Sequence, residues 1–157
     1  MWRFILNHKN QGINQNDGVA LGIVLSVQTG KIILVKNIQH KDPKWRIPGG
    51  TIKTENNELP MNAFVREVGE ETGIQLDQNS VVFLMRILSR NKNPHYYHVF
   101  GGFVDDFSNL NTGPTKEEDS DAVLIAHEFT IDEVTPKIML HPHFIMLREG
   151  LKKIHSL

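Results

Sequence analysis

Apolar residues fall in runs whose period changes along the chain. Val19 to Val27 is almost continuously apolar, and Ile32 to Val35 answers it across Gln28-Thr29-Gly30-Lys31, which predicts a hairpin of two buried strands. Before it, Trp2 to Leu6 reads as a short leading strand and Asn7 to Gly18 as a polar, Asn/Gln/Gly-rich loop. From Pro60 the period lengthens: Phe64, Val65 and Val68 predict a helix to Thr72, with Pro60 in its first turn and Gly73 as its stop. Gly69, a poor helix former inside that span, points to close packing. Val81 to Leu88, Tyr96 to Val104 and Ala122 to Ala126 read as further strands, with Gly101-Gly102 marking a bulge or a close backbone approach. Asp105 to Asp121 is a polar loop, Thr130 to Val134 starts a short helix, and His127 to Phe129 leads toward that turn. Pro142 to Ile154 has Phe144, Ile145, Leu147, Leu151 and Ile154 on one side and Arg148, Lys152 and Lys153 on the other, the pattern of an amphipathic helix. Several strands with one central and one terminal helix predict an α/β fold, a single domain over residues 1–157 without repeat or linker.

Composition narrows this picture. A chain of 157 residues can bury a core without metal or disulfide staples, and none of its residues is cysteine. That removes disulfides, thiolate zinc sites and cysteine nucleophiles, and it leans toward a cytoplasmic protein. With 17 basic and 18 acidic residues there is no global basic field, so long nucleic acid is a disfavoured partner while a small phosphate ligand is not. No apolar run approaches the roughly 18 residues of a membrane span, so a soluble chain without membrane attachment is expected. The eight histidines, His141-Pro142-His143 included, lack zinc-ligand spacing.

Chemistry concentrates between Trp45 and Ile74. Pro48-Gly49-Gly50 supports a tight turn that can pass close to a ligand, because proline fixes one dihedral and glycine accepts shapes that a Cβ resists. Glu67, Glu70 and Glu71 stand three and four residues apart, which gathers their carboxylates on a helix at the cost of mutual repulsion. A divalent cation would relieve that repulsion, and hard oxygen ligands suit Mg²⁺ or Mn²⁺; a solvated acidic face is the alternative. Arg66 is placed to pair with a neighbouring carboxylate, and Glu58 either to serve as an outer ligand or to hold Arg66. Arg46, with its planar donor fork, suits a phosphate or a local carboxylate; Lys36 and Lys44 suit a polyphosphate or plain solvation. Tyr97 and Phe103 offer rings for a base, with sheet packing as their alternative, and Trp45 reads as structural.

Gly50, Glu58, Arg66-Glu67-Val68, Glu70-Glu71 and Gly73-Ile74 together resemble the signature box of the Nudix hydrolases. Seven residues, Leu59 to Val65, separate Glu58 from Arg66 as the box requires. Between Gly50 and Glu58 there are seven, Thr51 to Asn57, where the family has five, so Glu55 competes with Glu58 for the first glutamate's role. The resemblance implies an α/β/α sandwich with a mixed central sheet and a metal set of Gly50, Glu58, Glu67, Glu70 and Glu71. It implies a catalytic set of Glu70, Glu67, Arg66 and an acid from the later loop, Glu118 or its neighbours Glu117 and Asp119. The activity implied is Mg²⁺- or Mn²⁺-dependent hydrolysis of a phosphoanhydride bond in a nucleoside diphosphate linked to another group. A nucleoside triphosphate, a nucleotide sugar or a dinucleoside polyphosphate would each qualify. A non-catalytic nucleotide-binding regulator and an RNA-cap or RNA-end pyrophosphohydrolase are the alternatives on the same domain. The partner expected is a small nucleotide, and homodimerisation is left open.

Overall fold

The apolar runs meet in one mixed sheet. The computed structural model describes residues 2–4, 16–89, 92–118 and 120–157. Most of the Asn7–Gly18 loop, part of the 89–94 turn and Asp119 lie outside the described residues. The strands are β1 (Trp2–Phe4), β2 (Val19–Ser26), β3 (Ile32–Asn37), β4 (Gly49–Thr51), β5 (Val81–Ser89), β6 (His95–Val104), β7 (Thr115–Lys116) and β8 (Val123–Phe129). They are ordered β1-β5-β6-β2-β3-β8-β7, with β4 paired to β2. Among the described strands β2 and β6 pair in parallel and the other pairings run antiparallel, and a single parallel bridge joins Trp45 to Met139.

Helices α1 (Pro60–Thr72) and α2 (His141–His155) cover opposite faces. Side-chain alternation along the strands divides the core accordingly. Val24, Ile33, Val35 and Phe100 face α1 and pack on its Phe64 and Val68. Leu21, Ile23, Leu34 and Val99 face the other way, onto Met146 and Leu147 of α2. Phe64 is wholly buried and stacks on Phe100 with ring centroids 5.5 Å apart. Burial of a side chain of that size contributes about 1.5–3 kcal/mol. The expected α/β/α sandwich with a mixed sheet is therefore the fold of this chain.

The feature that positions everything functional is a fork between β2 and β3. Their register is held at Leu25 and Ile32, beside the turn, and the strands separate toward their other ends. The segment from Trp45 to Thr51 enters the gap. Val35 and Arg46 exchange backbone hydrogen bonds of 2.9 and 2.8 Å, Gly22 N–H donates to the Pro48 carbonyl at 3.0 Å, and β4 pairs Gly50 with Ala20. Pro48-Gly49-Gly50 reads in sequence as a turn, yet its second half is a strand. The separated β2 leaves ladder groups that β4 satisfies.

Helix α1 begins at Pro60, where the missing N–H costs nothing, and stops at Gly73, whose φ of +78° is the left-handed value that favours glycine. Its apolar stripe of Phe64 and Val68 continues through Glu71 and Thr72, both buried. Gly69 meets only the flexible end of Gln75, at 3.3 Å from an added Cβ, so the close packing expected there is slight. Two further elements differ from expectation. Strand β8 runs on through His127 to Phe129 because β3 pairs with it over its full length. The irregularity in the ladder lies at Phe83–Met85 of β5, while Gly101 and Gly102 stay in register. Gly102 instead makes room for Leu76, whose Cδ1 would lie 2.8 Å from an added Cβ. Among the described residues no helix is long and apolar enough to cross a membrane.

Two imidazoles, one buried at His98 and one with its Nδ1 enclosed at His143, couple stability to pH. Burial holds His98 below the ordinary histidine range, against a hydrogen bond from its ring to the Asp17 carbonyl. Burial, with a smaller contribution from the Arg46 charge, pushes His143 down to about 3, and its Nδ1 is enclosed without a partner. Both groups accept protons more readily unfolded than folded. Their contribution to stability is therefore flat above the unfolded value of about 6.5 and falls as pH drops below it, while the raised Glu71 contributes with the opposite sign up to about 8. Chemical denaturation of the parent and of His143→Leu at pH 7.5 and 5.5 isolates the histidine: the stability difference between the two proteins is expected to change by about 1 kcal/mol between these pH values, at the parent's expense at pH 5.5. A difference that does not change with pH would contradict this account.

Candidate functional site

The fork presents Arg46 and Gly50 to the C-terminal half of α1. Gly50 lies against Glu67: a Cβ there would come within 2.4 Å of Glu67 Oε1 and 2.8 Å of Oε2. The backbone can approach the carboxylate this closely only because the residue is glycine. Glu71, three residues beyond Val68 on the buried stripe, is 3 % exposed. It accepts from Gly49 N–H at 3.1 Å and from Arg46 Nη2 at 3.2 Å. Burial pushes its carboxyl up to about 8, against the pull of Arg46. Glu67 is raised in the same direction, by burial first, with Arg66 opposing.

Arg66 organises the exposed side of the cluster. Its Nε donates to Glu58 Oε2 at 2.7 Å and its Nη2 to Glu58 Oε1 at 2.9 Å, a two-pronged pairing. Its Nη1 reaches Glu67 Oε1 at 2.8 Å and Glu70 Oε2 at 3.2 Å, and Nη2 also donates to the Thr51 carbonyl. Glu58 is held below the usual carboxylate range by this arginine, and Arg66 is raised in return. Glu58 also accepts from Lys53 N–H at 2.9 Å.

The enlarged Thr51–Asn57 loop takes a definite form. Thr54–Asn56 makes one 3-10 turn closed by Asn57 at a φ of 56°, a conformation asparagine tolerates better than most residues. Glu58 N–H then donates to the Lys53 carbonyl, so the extra residues are absorbed as a closed loop. Glu58, and not Glu55, receives Arg66, while Glu55 lines the cleft. Glu58 is occupied as the anchor of Arg66 and does not line that cleft with Glu67 and Glu70.

The cleft itself has a volume of about 530 Å³. Gly50, Glu67 and Glu70 form one wall, and Glu117 and Glu118 from the loop before β8 face them. Glu71 lines a smaller recess of about 170 Å³ that shares Glu67, Glu70, Glu117 and Glu118. Glu117 is engaged, with Oε1 3.6 Å from Arg46 and Oε2 accepting from Ser120 at 2.6 Å. Glu118 is largely exposed, with a loose 3.9 Å approach from Lys53. Among the described residues no three His, Asp or Glu side chains are gathered as a ready metal site, and arginines pair with Glu67, Glu70 and Glu71. The donor set nevertheless fits a hard divalent cation. Carboxylate oxygens outnumber local cations, and Gly50 leaves Glu67 a pocket that a side chain would fill.

Of the residues expected at the site, the structure gathers Gly50, Arg46, Arg66, Glu67, Glu70, Glu71 and Glu118. Arg46 is spent on Glu71 and Glu117 in place of a free phosphate fork. It does not bring in Lys36, Tyr97 or Phe103. Lys36 alternates with Val35 and points to the α2 face, where its Nζ sits 4.6 Å over the Trp45 ring. Tyr97 packs with the α2-side cluster. Phe103 follows Gly102, which faces α1, and so takes the opposite side. Lys44 stays near, but its Nζ is held by the Lys137 carbonyl at 2.9 Å and lines a neighbouring hollow. Trp45 packs edge-on against Phe129 at 4.9 Å, in the structural position expected of it. The role of Glu117 in fixing Arg46 was not legible beforehand, since 71 residues separate them and nothing local links the two.

The family model described as NUDIX domain matches residues 17–149. No curated protein matches the chain in sequence. Among solved structures, it is similar to a mutant of the Bacillus subtilis pyrophosphohydrolase BsRppH, at 18% identity and a TM-score of 0.65, covering 99% of this chain and 90% of that one. It is also similar to the NUDIX domain of Shewanella oneidensis NrtR complexed with ADP ribose, at 11% identity and a TM-score of 0.68, covering 87% and 86%. A hydrolase of the NUDIX family from Clostridium perfringens aligns at 17% identity and a TM-score of 0.56, covering 87% and 96%. At these identities the structural likeness speaks to the fold.

Proposed function

The chain belongs to the Nudix family, and from that premise we propose that it hydrolyses a phosphoanhydride bond in a nucleoside diphosphate linked to a second group, with Mg²⁺ or Mn²⁺ as cofactor. The observation that carries this reading is the convergence of Glu67, Glu70, Glu117 and Glu118 with Gly50 around one cleft large enough for a diphosphate. Glu67, Glu70 and Glu71, with the close-lying Gly50 backbone, are the residues that would hold the cation. A divalent cation bound there supplies neutralising charge and Lewis acidity at the phosphoryl oxygens.

The chain's own residues do the rest. Arg66, fixed by Glu58, keeps Glu67 and Glu70 from splaying apart and neutralises part of their charge when no cation is present. Arg46 holds Glu71 and Glu117 across the cleft, so the α1 wall and the β8 loop keep their spacing. Of the two acids on the β8 side of the cleft, Glu118 is less engaged than Glu117, and we assign it the task of accepting the proton from water, because a group already engaged by a cation is a poor base.

The test is a panel of nucleoside triphosphates, nucleotide sugars and dinucleoside polyphosphates with Mg²⁺ or Mn²⁺. The expected outcome is metal-dependent release of a nucleotide and a second phosphorylated product, abolished by a chelator. Tight nucleotide binding without turnover under either metal would instead make the protein a nucleotide-binding regulator.

A further inference from the structure

The enlarged loop brings a cation into the acidic cleft. Of the described residues that line it, Glu55, Glu67, Glu70, Glu117 and Glu118 are acidic and Lys53 alone is basic. We propose that Lys53 binds a phosphoryl oxygen of the substrate and that it gives up Glu118 to do so, a role that rests on the hydrolase reading. The ammonium holds either the carboxylate or the phosphate, and so it ties the assigned base to the presence of substrate.

The main chain at Lys53 is fixed from both sides. Ile52, just before it, is buried in the core on the α1 side and donates its N–H to the Gly18 carbonyl at 2.9 Å. The Lys53 carbonyl accepts from Asn56 N–H at 3.0 Å and from Glu58 N–H at 3.2 Å, which closes the loop on itself. These bonds use backbone atoms, so the loop delivers whatever side chain stands at this position to the same wall of the cleft. A lysine there is a point charge on a flexible four-carbon stem, which changes partners by rotation of the side chain alone.

Charge decides which partner wins. Lys53 Nζ lies 3.9 Å from Glu118 Oε2, and the Glu118 side chain is 74 % exposed. An ion pair at that separation and open to water is weak. A diphosphate carries more negative charge than one carboxylate, and among these acidic walls it is repelled wherever no cation offsets them. A divalent ion at Glu67 and Glu70 neutralises one part of the cleft, and beside Glu118 the offsetting charge is Lys53. Phosphate therefore displaces the carboxylate. Glu118, released from the ammonium, is then available to water.

Calorimetric titration of the full-length chain with inorganic pyrophosphate in Mg²⁺ tests this. Lys53→Met is expected to weaken pyrophosphate about fivefold or more, and Lys53→Arg, which keeps the charge, by less than about twofold. Glu118→Gln removes the competitor and should tighten pyrophosphate about twofold or more; that gain should vanish in the double variant with Lys53→Met, because the two side chains share one interaction. The backbone bonds at this position survive each change, so thermal midpoints should stay within about 2 °C of the parent. Equal affinity in the parent and Lys53→Met would overturn the substrate contact and leave the hydrolase reading standing. A Glu118→Gln gain that is absent, or that persists without Lys53, would overturn the exchange. Pyrophosphate that fails to bind the parent with either Mg²⁺ or Mn²⁺ would overturn this role and the hydrolase reading together.

Discussion

Glu67→Gln and Glu70→Gln are each expected to lower kcat at least tenfold, and closer to a hundredfold for Glu67. Glutamine keeps the shape but removes one negative charge and turns an amide donor toward the place a cation would occupy. A hundredfold loss corresponds to about 2.7 kcal/mol of transition-state stabilisation. Glu67 carries the larger expectation because Gly50 is shaped around its carboxylate and burial leaves few alternatives for its charge. Glu70, 41 % exposed along its side chain, has more freedom to rearrange. Neither variant should unfold the protein. Removing charge from a cluster of like charges offsets the lost pairing with Arg66, so thermal midpoints should stay within about 3 °C. Turnover at the parental rate in both variants, measured at saturating Mg²⁺ and again with Mn²⁺, would remove the assignment of these carboxylates. Glu58→Gln should cost less than either, because Glu58 acts on the cleft only through Arg66.

The largest expected effect on stability comes from Gly49→Ala. Gly49 has a φ of +152°, and an added Cβ would meet the Ala20 carbonyl oxygen at 2.3 Å and Leu21 Cβ at 2.3 Å. Both contacts belong to β2 in the centre of the sheet, so nothing flexible can give way. A loss above about 3 kcal/mol is expected, from strain at a special dihedral combined with overpacking. Urea denaturation of the variant is the measurement, and a midpoint within error of the parent would show that the fork can relax. Activity should fall with stability, because the same residue donates its N–H to Glu71 and leads directly into Gly50. Gly30→Ala is the control: with φ of +70° but nothing within 4 Å of an added Cβ, it carries only the dihedral cost.

Much of this molecule was legible along the chain. The change of period at Pro60 located α1, and the long apolar runs located β2, β3, β5 and β6, because both signals are local. The clustering of Glu67, Glu70 and Glu71 was legible because a helix brings positions three and four apart together whatever surrounds it, and Gly50 and Glu58 joined them through the resemblance to the Nudix signature. What stayed hidden depends on pairing between distant segments. Nothing in Pro48-Gly49-Gly50 announces a strand; it becomes one because β2 and β3 part and leave β2 groups to be satisfied. Glu71 looks equivalent to Glu67 and Glu70 in sequence, but the sheet covers one side of α1 and buries Glu71 fully, Glu67 in part and Glu70 least.

The substrate candidates show the same division. Lys36, Tyr97 and Phe103 have suitable chemistry, and strand parity alone sends them to the α2 face; that parity is defined only once the sheet has two covered sides. By itself the sequence determined the α/β class and the helix that bears the carboxylates, since these follow from periodicity and spacing. Tertiary structure alone decided that Arg46 and Glu117 meet, and that a hollow lined by Leu124, Leu140 and charges of both signs adjoins the acidic cleft. Those are contacts between segments far apart in the chain, and their closeness is set by the sheet order and by nothing local.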